Sequence, residues 1–202
     1  MPKIVDKEEK RYQIIEAAVR VFAKHGVPNT KMVQIAEAAG IGKGTIYEYF
    51  KSKEELFHAI IAMFMQNMDT QMENNIRQLG DAKEKLLACF NEWGNIFESE
   101  FMDFAEIMLD FWAECLRKGD RNSIDLNEMY EGYRKQLKEI LDEGVEKGVF
   151  KPDIQTHVLA SIIIGGVDGI MIQWILNKSL FSPREAVEQF AKVTIDGITI
   201  NS

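Results

Sequence analysis

Cysteine is almost missing from this chain: Cys89 and Cys115 are the two in 202 residues, with neither the paired spacing of a zinc site nor the density of a disulfide scaffold. They read as reduced core thiols of a cytoplasmic protein. Histidine is as scarce. His25, His58 and His157 have no ligand spacing, no cysteine lies within sequence reach of one, and no nucleophile elbow occurs. Catalysis, a bound metal and a cofactor are therefore not expected. Apolar–polar alternation of the kind a half-buried strand needs is not sustained anywhere. Internal repeats, low-complexity tracts and long linkers are missing too. The opening MPKIVDKEEKRY has no apolar run of signal-peptide length, so nothing there marks the chain for export.

One long hydrophobic run is present, from Val158 to Leu176. It comes close to the roughly 20 residues that span a bilayer. Asp168 and Gln173 interrupt it, and a central carboxylate costs about 3 kcal/mol on insertion scales. A helix buried between protein surfaces is the better reading, with a second copy of the chain as its partner.

The net charge of −8 appears to exclude nucleic acid, but it is unevenly spread. Residues 1–53 carry ten Lys or Arg against six Asp or Glu, while residues 54–202 carry fourteen against twenty-six. A basic head is joined to an acidic body, which suits a head placed on phosphates.

What fills the chain is helical periodicity. Tyr12, Ile15, Val19 and Phe22 recur at helix spacing, with Ala18 beside them, until Gly26 and Pro28 end the pattern. Thr30 is placed to cap a short second helix carrying Ile35, Ala36 and Ala39, which Gly40 stops. A third helix follows from about Lys43 to Phe50. A long fourth opens at Lys53-Glu54-Glu55 and runs to Leu79. Further helices are expected over 82–98, 100–118, 122–147, 154–177 and 183–199. The expectation is an all-α protein of about nine helices, with a basic domain over 1–53 and a helical body over 54–202.

Residues 32–51 have the grammar of a helix-turn-helix. Ala36 is small where the two helices cross, Gly40 permits the turn, and Ile46 anchors the second helix in the core. Lys43, Gly44, Thr45 and Tyr47 suit a major groove: a lysine reaches guanine O6 or N7, a threonine meets a thymine methyl or a phosphate, and a glycine lets the backbone come close. Glu48 either accepts from cytosine N4 or faces solvent, and solvent is favoured. Tyr47 and Tyr49 either contact DNA or pack half-buried, and the motif favours DNA. Gly42-Lys43 does not make a nucleotide loop, because Glu37 and Gly44 stand where that pattern needs glycine and a hydroxyl.

The stretch Ala39-Gly40-Ile41-Gly42-Lys43-Gly44-Thr45-Ile46-Tyr47-Glu48-Tyr49-Phe50-Lys51-Ser52-Lys53-Glu54-Glu55-Leu56, with Ala17-Ala18, Phe22, Gly26, Thr30 and Ile35-Ala36 upstream, resembles the TetR family. The likeness is close over the first sixty residues or so. Beyond them it rests on length, helix order and the stretch from Glu143-Gly144 to Phe150 and Asp153. The resemblance implies phosphate contacts from Tyr49 and Lys53 and from Thr30 and Lys31, where free N–H groups at a helix start also favour anions. Without that context Lys53 is an ordinary solvated charge.

The body concentrates aromatic and methionine side chains. Trp93, Phe97, Phe104, Met108, Phe111 and Trp112, with Tyr130 and Tyr133, are mostly core, yet such surface also lines cavities for apolar or amphipathic ligands. The resemblance implies an effector bound among these helices. Asp168 needs a hydrogen bond or a polar cavity, either across a dimer seam or to a ligand. Gly165 and Gly169 let another backbone approach. The family's dimer bundle of the last two helices implies interface roles for Trp174 and Ile175 and for Val187, Phe190, Ala191 and Ile195. The resulting expectation is a homodimeric repressor of a palindromic DNA operator, released by a small-molecule effector. A constitutive or architectural DNA binder without effector, or a ligand-dependent activator, is the alternative.

Overall fold

The computed structural model describes residues 7–98, 105–118 and 126–200. Among them are nine α-helices: α1 (Lys7–His25), α2 (Met32–Ala38), α3 (Lys43–Tyr49), α4 (Lys53–Arg77), α5 (Ala82–Glu98), α6 (Ala105–Lys118), α7 (Leu126–Glu146), α8 (Thr156–Leu176) and α9 (Pro183–Ile198). No strand occurs among the described residues, only an isolated antiparallel bridge between Phe150 and Thr199. The fold is all-α, as the missing alternation requires. Two compact units form, Met1–Asn67 with Asp103–Ile124, and Met68–Met102 with Asp125–Ser202. The first thus extends beyond the three-helix head to take in the first half of α4 and α6.

In the first unit α1 buries Ile14, Ile15, Ala17, Ala18 and Phe22. The buried stripe is centred on Ile14, Ala18 and Phe22, four residues apart in turn, rather than on Tyr12, Ile15 and Val19. Tyr12 is instead 54% exposed, because the Ile14-Ile15 pair rotates the apolar face away from it. The Phe22 ring meets Phe57 of α4 edge to face at 6.2 Å. Ile35, Ala36, Ile46 and Phe50 are fully enclosed. At Gly26 (φ +72°) and Gly40 (φ +64°) the chain takes the left-handed conformation that ends a helix and that a side chain with a Cβ disfavours. Ile41 N–H then returns to Ala36 carbonyl at 2.9 Å, closing the turn between α2 and α3.

Thr30 does not cap α2. Lys31 occupies the cap position, and the Thr30 hydroxyl turns back to donate to the Gly26 carbonyl at 2.8 Å. The α1 end needs acceptors satisfied more than the α2 start needs another donor bound, since the Gln34 side chain already takes the Lys31 N–H at 2.7 Å. α4 opens with a cap the composition did not single out: Ser52 Oγ accepts from Glu55 N–H at 3.1 Å, while the Glu55 carboxylate accepts from Lys51 N–H at 2.7 Å.

In the second unit α5 packs on α9 and α7, and α8 on α7 and α9. Leu86 and Phe90 of α5, Leu137, Ile140 and Leu141 of α7, Ile163 of α8, and Val187, Ala191 and Ile195 of α9 make the core. Two glycines set the helix distances. A Cβ on Gly144 would lie 2.0 Å from the Phe150 ring, and one on Gly166 would lie 2.4 Å from the Phe190 ring. Each aromatic side chain fills the space its glycine leaves. Lys85 of α5 bonds Glu143 of α7 at 2.6 Å, and Arg184 of α9 bonds Glu98 of α5 at 2.7 Å. Cys89 is buried, and burial pushes its thiol up to about 12, so it stays protonated and unreactive.

Candidate nucleic-acid interface

The third helix is oriented by one residue. Ile46 has no exposed surface, so at 3.6 residues per turn Gly44 and Glu48 point straight away from the core, and Lys43 and Tyr47 lie on one flank. Lys43, Gly44, Tyr47 and Glu48 are all exposed, Tyr47 at 46%. Thr45 and Tyr49 sit half-buried on the other flank. Among the described residues no group lies within 4 Å of where a Gly44 Cβ would be, so the backbone there is open to a close partner. Glu48, for which solvent was the favoured surrounding, is exposed at the centre of this outward face.

At the start of α2 the expected phosphate residues behave differently from one another. The Lys31 side chain is exposed. Its backbone N–H is taken by the Gln34 side chain at 2.7 Å. Thr30 is 2% exposed with its hydroxyl committed to Gly26, so it supports the turn and does not offer its side chain to solvent. The Lys53 ammonium is engaged as well. It donates to the carbonyls of Val27 at 2.9 Å and Pro28 at 2.7 Å. Beneath the head, the Arg11 guanidinium lies 4.4 Å over the ring of buried Phe50.

The residues expected around an effector are divided. Trp93, Phe97, Tyr130, Tyr133 and Asp168 belong to the second unit, Met108 and Trp112 to the first. Phe104 lies outside the described residues, as does the side chain of Phe111. Phe97 and Met108 are buried. Trp93 packs edge to face on Phe90 at 5.4 Å. The Trp112 indole N–H is buried with no hydrogen-bond partner among the described residues. The polar pair is Tyr130 and Asp168: the phenol donates to the Asp168 carboxylate at 2.7 Å, linking α7 to α8. Burial raises the Asp168 carboxyl to about 6, and the bond from Tyr130 pulls it partly back. Tyr130 is pushed well above its ordinary range, first by burial and then by the Asp168 charge. Asp168 thus finds its partner within the chain. Among the described residues no group of three or more His, Cys, Asp or Glu could hold a metal ion.

Three residues expected at a dimer seam are instead inside the protomer. Val187 and Ala191 are 1% and 2% exposed, and Phe190 packs on Phe90 at 5.5 Å and over Gly166. The apolar face of α9 had two possible partners, and α5 of the same chain takes it. Gly165 and Gly169 are different: among the described residues nothing lies within 4 Å of a Cβ at either. They belong to a stripe on α8 that alternates by four and three residues, Val158, Ile162, Gly165, Gly169, Ile172 and Leu176. Its four apolar members are 41%, 57%, 37% and 79% exposed. Trp174 is half-buried beneath the Lys178 ammonium, 5.2 Å from its ring. By length and composition α8 is also long and apolar enough to cross a membrane.

Comparison with known proteins agrees with the all-α fold and its helix-turn-helix. Residues 14–60 match the bacterial regulatory proteins of the tetR family, and residues 83–199 match the C-terminal region of BetI-type transcriptional repressors. The fatty acid metabolism regulator protein of Bacillus subtilis is 28% identical over 192 residues, covering 95% of this chain and 97% of that protein. The fatty acid degradation regulator FadR from Bacillus halodurans superposes with a TM-score of 0.78 at 28% identity, over 95% of this chain and 97% of that one. FadR from Bacillus subtilis, solved in complex with stearoyl-CoA, gives a TM-score of 0.72 at 27% identity, over 93% and 98%. With a helix-turn-helix whose outward face carries Lys43, Gly44 and Tyr47, and a helical body matched over its length, the chain belongs to the tetR family: it is a DNA-binding, ligand-responsive transcriptional repressor.

Proposed function

We propose that the chain acts as a homodimer that sets two copies of α3 in successive major grooves of a near-palindromic operator, about 34 to 36 Å apart. Residues 1–53 form the DNA-reading part and residues 54–202 the effector-binding and dimerising part. The observation that carries the reading is the α3 face, where Lys43, Gly44 and Tyr47 are exposed on a helix pinned by Ile46. Lys43 and Tyr47 supply base or phosphate contacts, and Thr45, Tyr49 and Lys31 fix register on the backbone. The acidic body, held away from phosphates by its own charge, works in the cytoplasm without enzymatic activity.

Dimerisation is supported by the α8 stripe. An apolar face with two small residues at its centre, left open by its own chain, fits close packing against the same face of a second copy. For the effector, the reading is a small apolar or amphipathic ligand with Tyr130 and Asp168 as its polar contact. Bacillus subtilis FadR, 27% identical, was solved with stearoyl-CoA, so a long-chain acyl-CoA is the first ligand to try. A ligand that tilts α4 changes the spacing of the two heads, and a coupling of about 1 to 3 kcal/mol weakens operator binding 5- to 150-fold.

DNA binding to fragments of the gene's own upstream region, measured at several salt concentrations, tests this. Specific binding that falls with salt and weakens by about 1 to 3 kcal/mol per head in Lys43→Ala and in Tyr47→Ala is expected. Binding indifferent to both substitutions would place the DNA-reading surface elsewhere.

A further inference from the structure

The geometry of α3 fixes where each of its side chains can go. It has seven residues, about 10 Å of helix at roughly 1.5 Å per residue, against a major groove about 12 Å wide. A helix this short lies within the groove over both of its turns. Ile46 has no exposed surface and turns its own side of the helix into the core. Gly44 and Glu48, two residues before and two after, stand about 160° and 200° around the helix from it at roughly 100° per residue. They share the line that points away from the protein, one turn apart. Gly44 presents bare backbone there, and among the described residues nothing lies within 4 Å of where its Cβ would be. Contact of that backbone with base edges carries Glu48, the next side chain on the same line, toward the groove floor. Lys43 and Tyr47, on one flank, face a groove wall instead.

Phosphates of both strands repel a carboxylate brought into the groove, so it weakens binding to every sequence that offers it no donor. The chain does not neutralise it. Among the described residues Glu48 is exposed and has no hydrogen-bond or ion-pair partner, whereas the Glu55 carboxylate accepts from Lys51 N–H at 2.7 Å. In the major groove the donors are the amino groups of cytosine N4 and adenine N6, while guanine and thymine present only acceptors and a methyl group. On adenine the acceptor N7 stands beside the amino group and repels the second carboxylate oxygen. Cytosine has no acceptor on that edge, which makes it the base a carboxylate matches.

We infer that Glu48 is a specificity-determining residue of the operator contact: its carboxylate accepts a hydrogen bond from cytosine N4–H at one position of each half-site and rejects guanine and thymine there. The inference rests on α3 entering the major groove, as proposed above. Lys43 and Tyr47 supply attraction, and Glu48 supplies discrimination, because a fixed negative charge penalises the wrong base as well as rewarding the right one.

The full-length wild type, Glu48→Gln and Glu48→Ala each select bound duplexes from a pool with a randomised central segment, and the enriched sites are sequenced. Both substitutions fall on an exposed side chain, and circular dichroism checks that each variant is folded. Glutamine keeps the size, removes the charge and pairs with adenine N6 and N7. The expected wild-type half-site has cytosine at one position, replaced there by adenine in Glu48→Gln and by no preferred base in Glu48→Ala, with the other positions unchanged. Changing that cytosine to guanine should weaken wild-type binding about tenfold per half-site and leave Glu48→Ala nearly indifferent. The same site enriched by all three proteins would put Glu48 in solvent and overturn the inference alone. A changed position at which the wild type prefers guanine, thymine or adenine would overturn it too. A wild type that enriches no site would defeat the DNA-binding reading itself, and the inference with it.

Discussion

The helices α3 and α8 are anchored alike and exposed differently. Each buries isoleucine toward its own unit, Ile46 in α3 and Ile163 in α8. What α3 leaves outside is Lys43, Gly44, Tyr47 and Glu48, and what α8 leaves outside is Val158, Ile162, Ile172 and Leu176 around Gly165. The first set suits a hydrated polyanion that is read and released as salt changes. The second is a continuous apolar surface that is unfavourable in water and suits the second copy proposed as its partner. The exposed face of a helix thus announces the chemistry of its partner, while the buried face reports only the fold.

The contrast breaks most severely if the α8 stripe is charged. Ile162→Glu should give a monomer by sedimentation equilibrium and lower operator affinity by about a hundredfold or more, since each head then binds alone. A variant that remains dimeric would put the seam on another surface.

A smaller effect is expected inside the second unit. Gly144→Ala forces a Cβ to within 2.0 Å of the Phe150 ring, and the repacking should cost about 1 to 3 kcal/mol in denaturant unfolding. Equal stability would mean that Phe150 has room to move, and that this glycine does not set the distance between its helix and the following loop.

Asp168 sharpens the comparison, because it is the carboxylate within the apolar helix. Its carboxyl titrates near 3.8 when unperturbed and at about 6 in the fold, chiefly through burial. Between those values the native state binds the proton more tightly, so the stability that protonation adds is complete below about pH 4 and is lost as the pH rises through 6. Asp168→Asn keeps an acceptor for Tyr130 and removes the charge. It should raise stability by up to about 3 kcal/mol at pH 8 and make no difference near pH 4. A pH-independent effect would assign the change to packing and not to ionisation.

Much of the head was legible because its determinants are local. Gly40 in the turn, Ala36 at the helix crossing and Ile46 as the anchor each act within a few residues of themselves, and the structure places all three as their chemistry requires. The misread positions depend on choices made at a distance. Thr30 is a good cap by type, yet the Gly26 carbonyl claims its hydroxyl. The Lys53 ammonium likewise reaches carbonyls twenty-five and twenty-six residues earlier, a contact that no neighbouring residue announces. Ser52 with Glu55 was a readable capping signal. Gly144 and Gly166 carried none, since a glycine made necessary by a ring from another segment looks like any other glycine.

The sequence by itself determined that the chain is helical, that basic residues outnumber acidic ones only before residue 54, and that residues 32–51 form a helix-turn-helix. Periodicity, local charge and turn chemistry are properties of neighbouring residues. Only the tertiary structure decided that Val187, Phe190 and Ala191 face α5 of their own chain, that the α8 stripe stays open, and that Asp168 pairs with Tyr130. An apolar or polar side chain fixes how strongly it seeks a partner, whereas which partner it finds depends on which helices pack together.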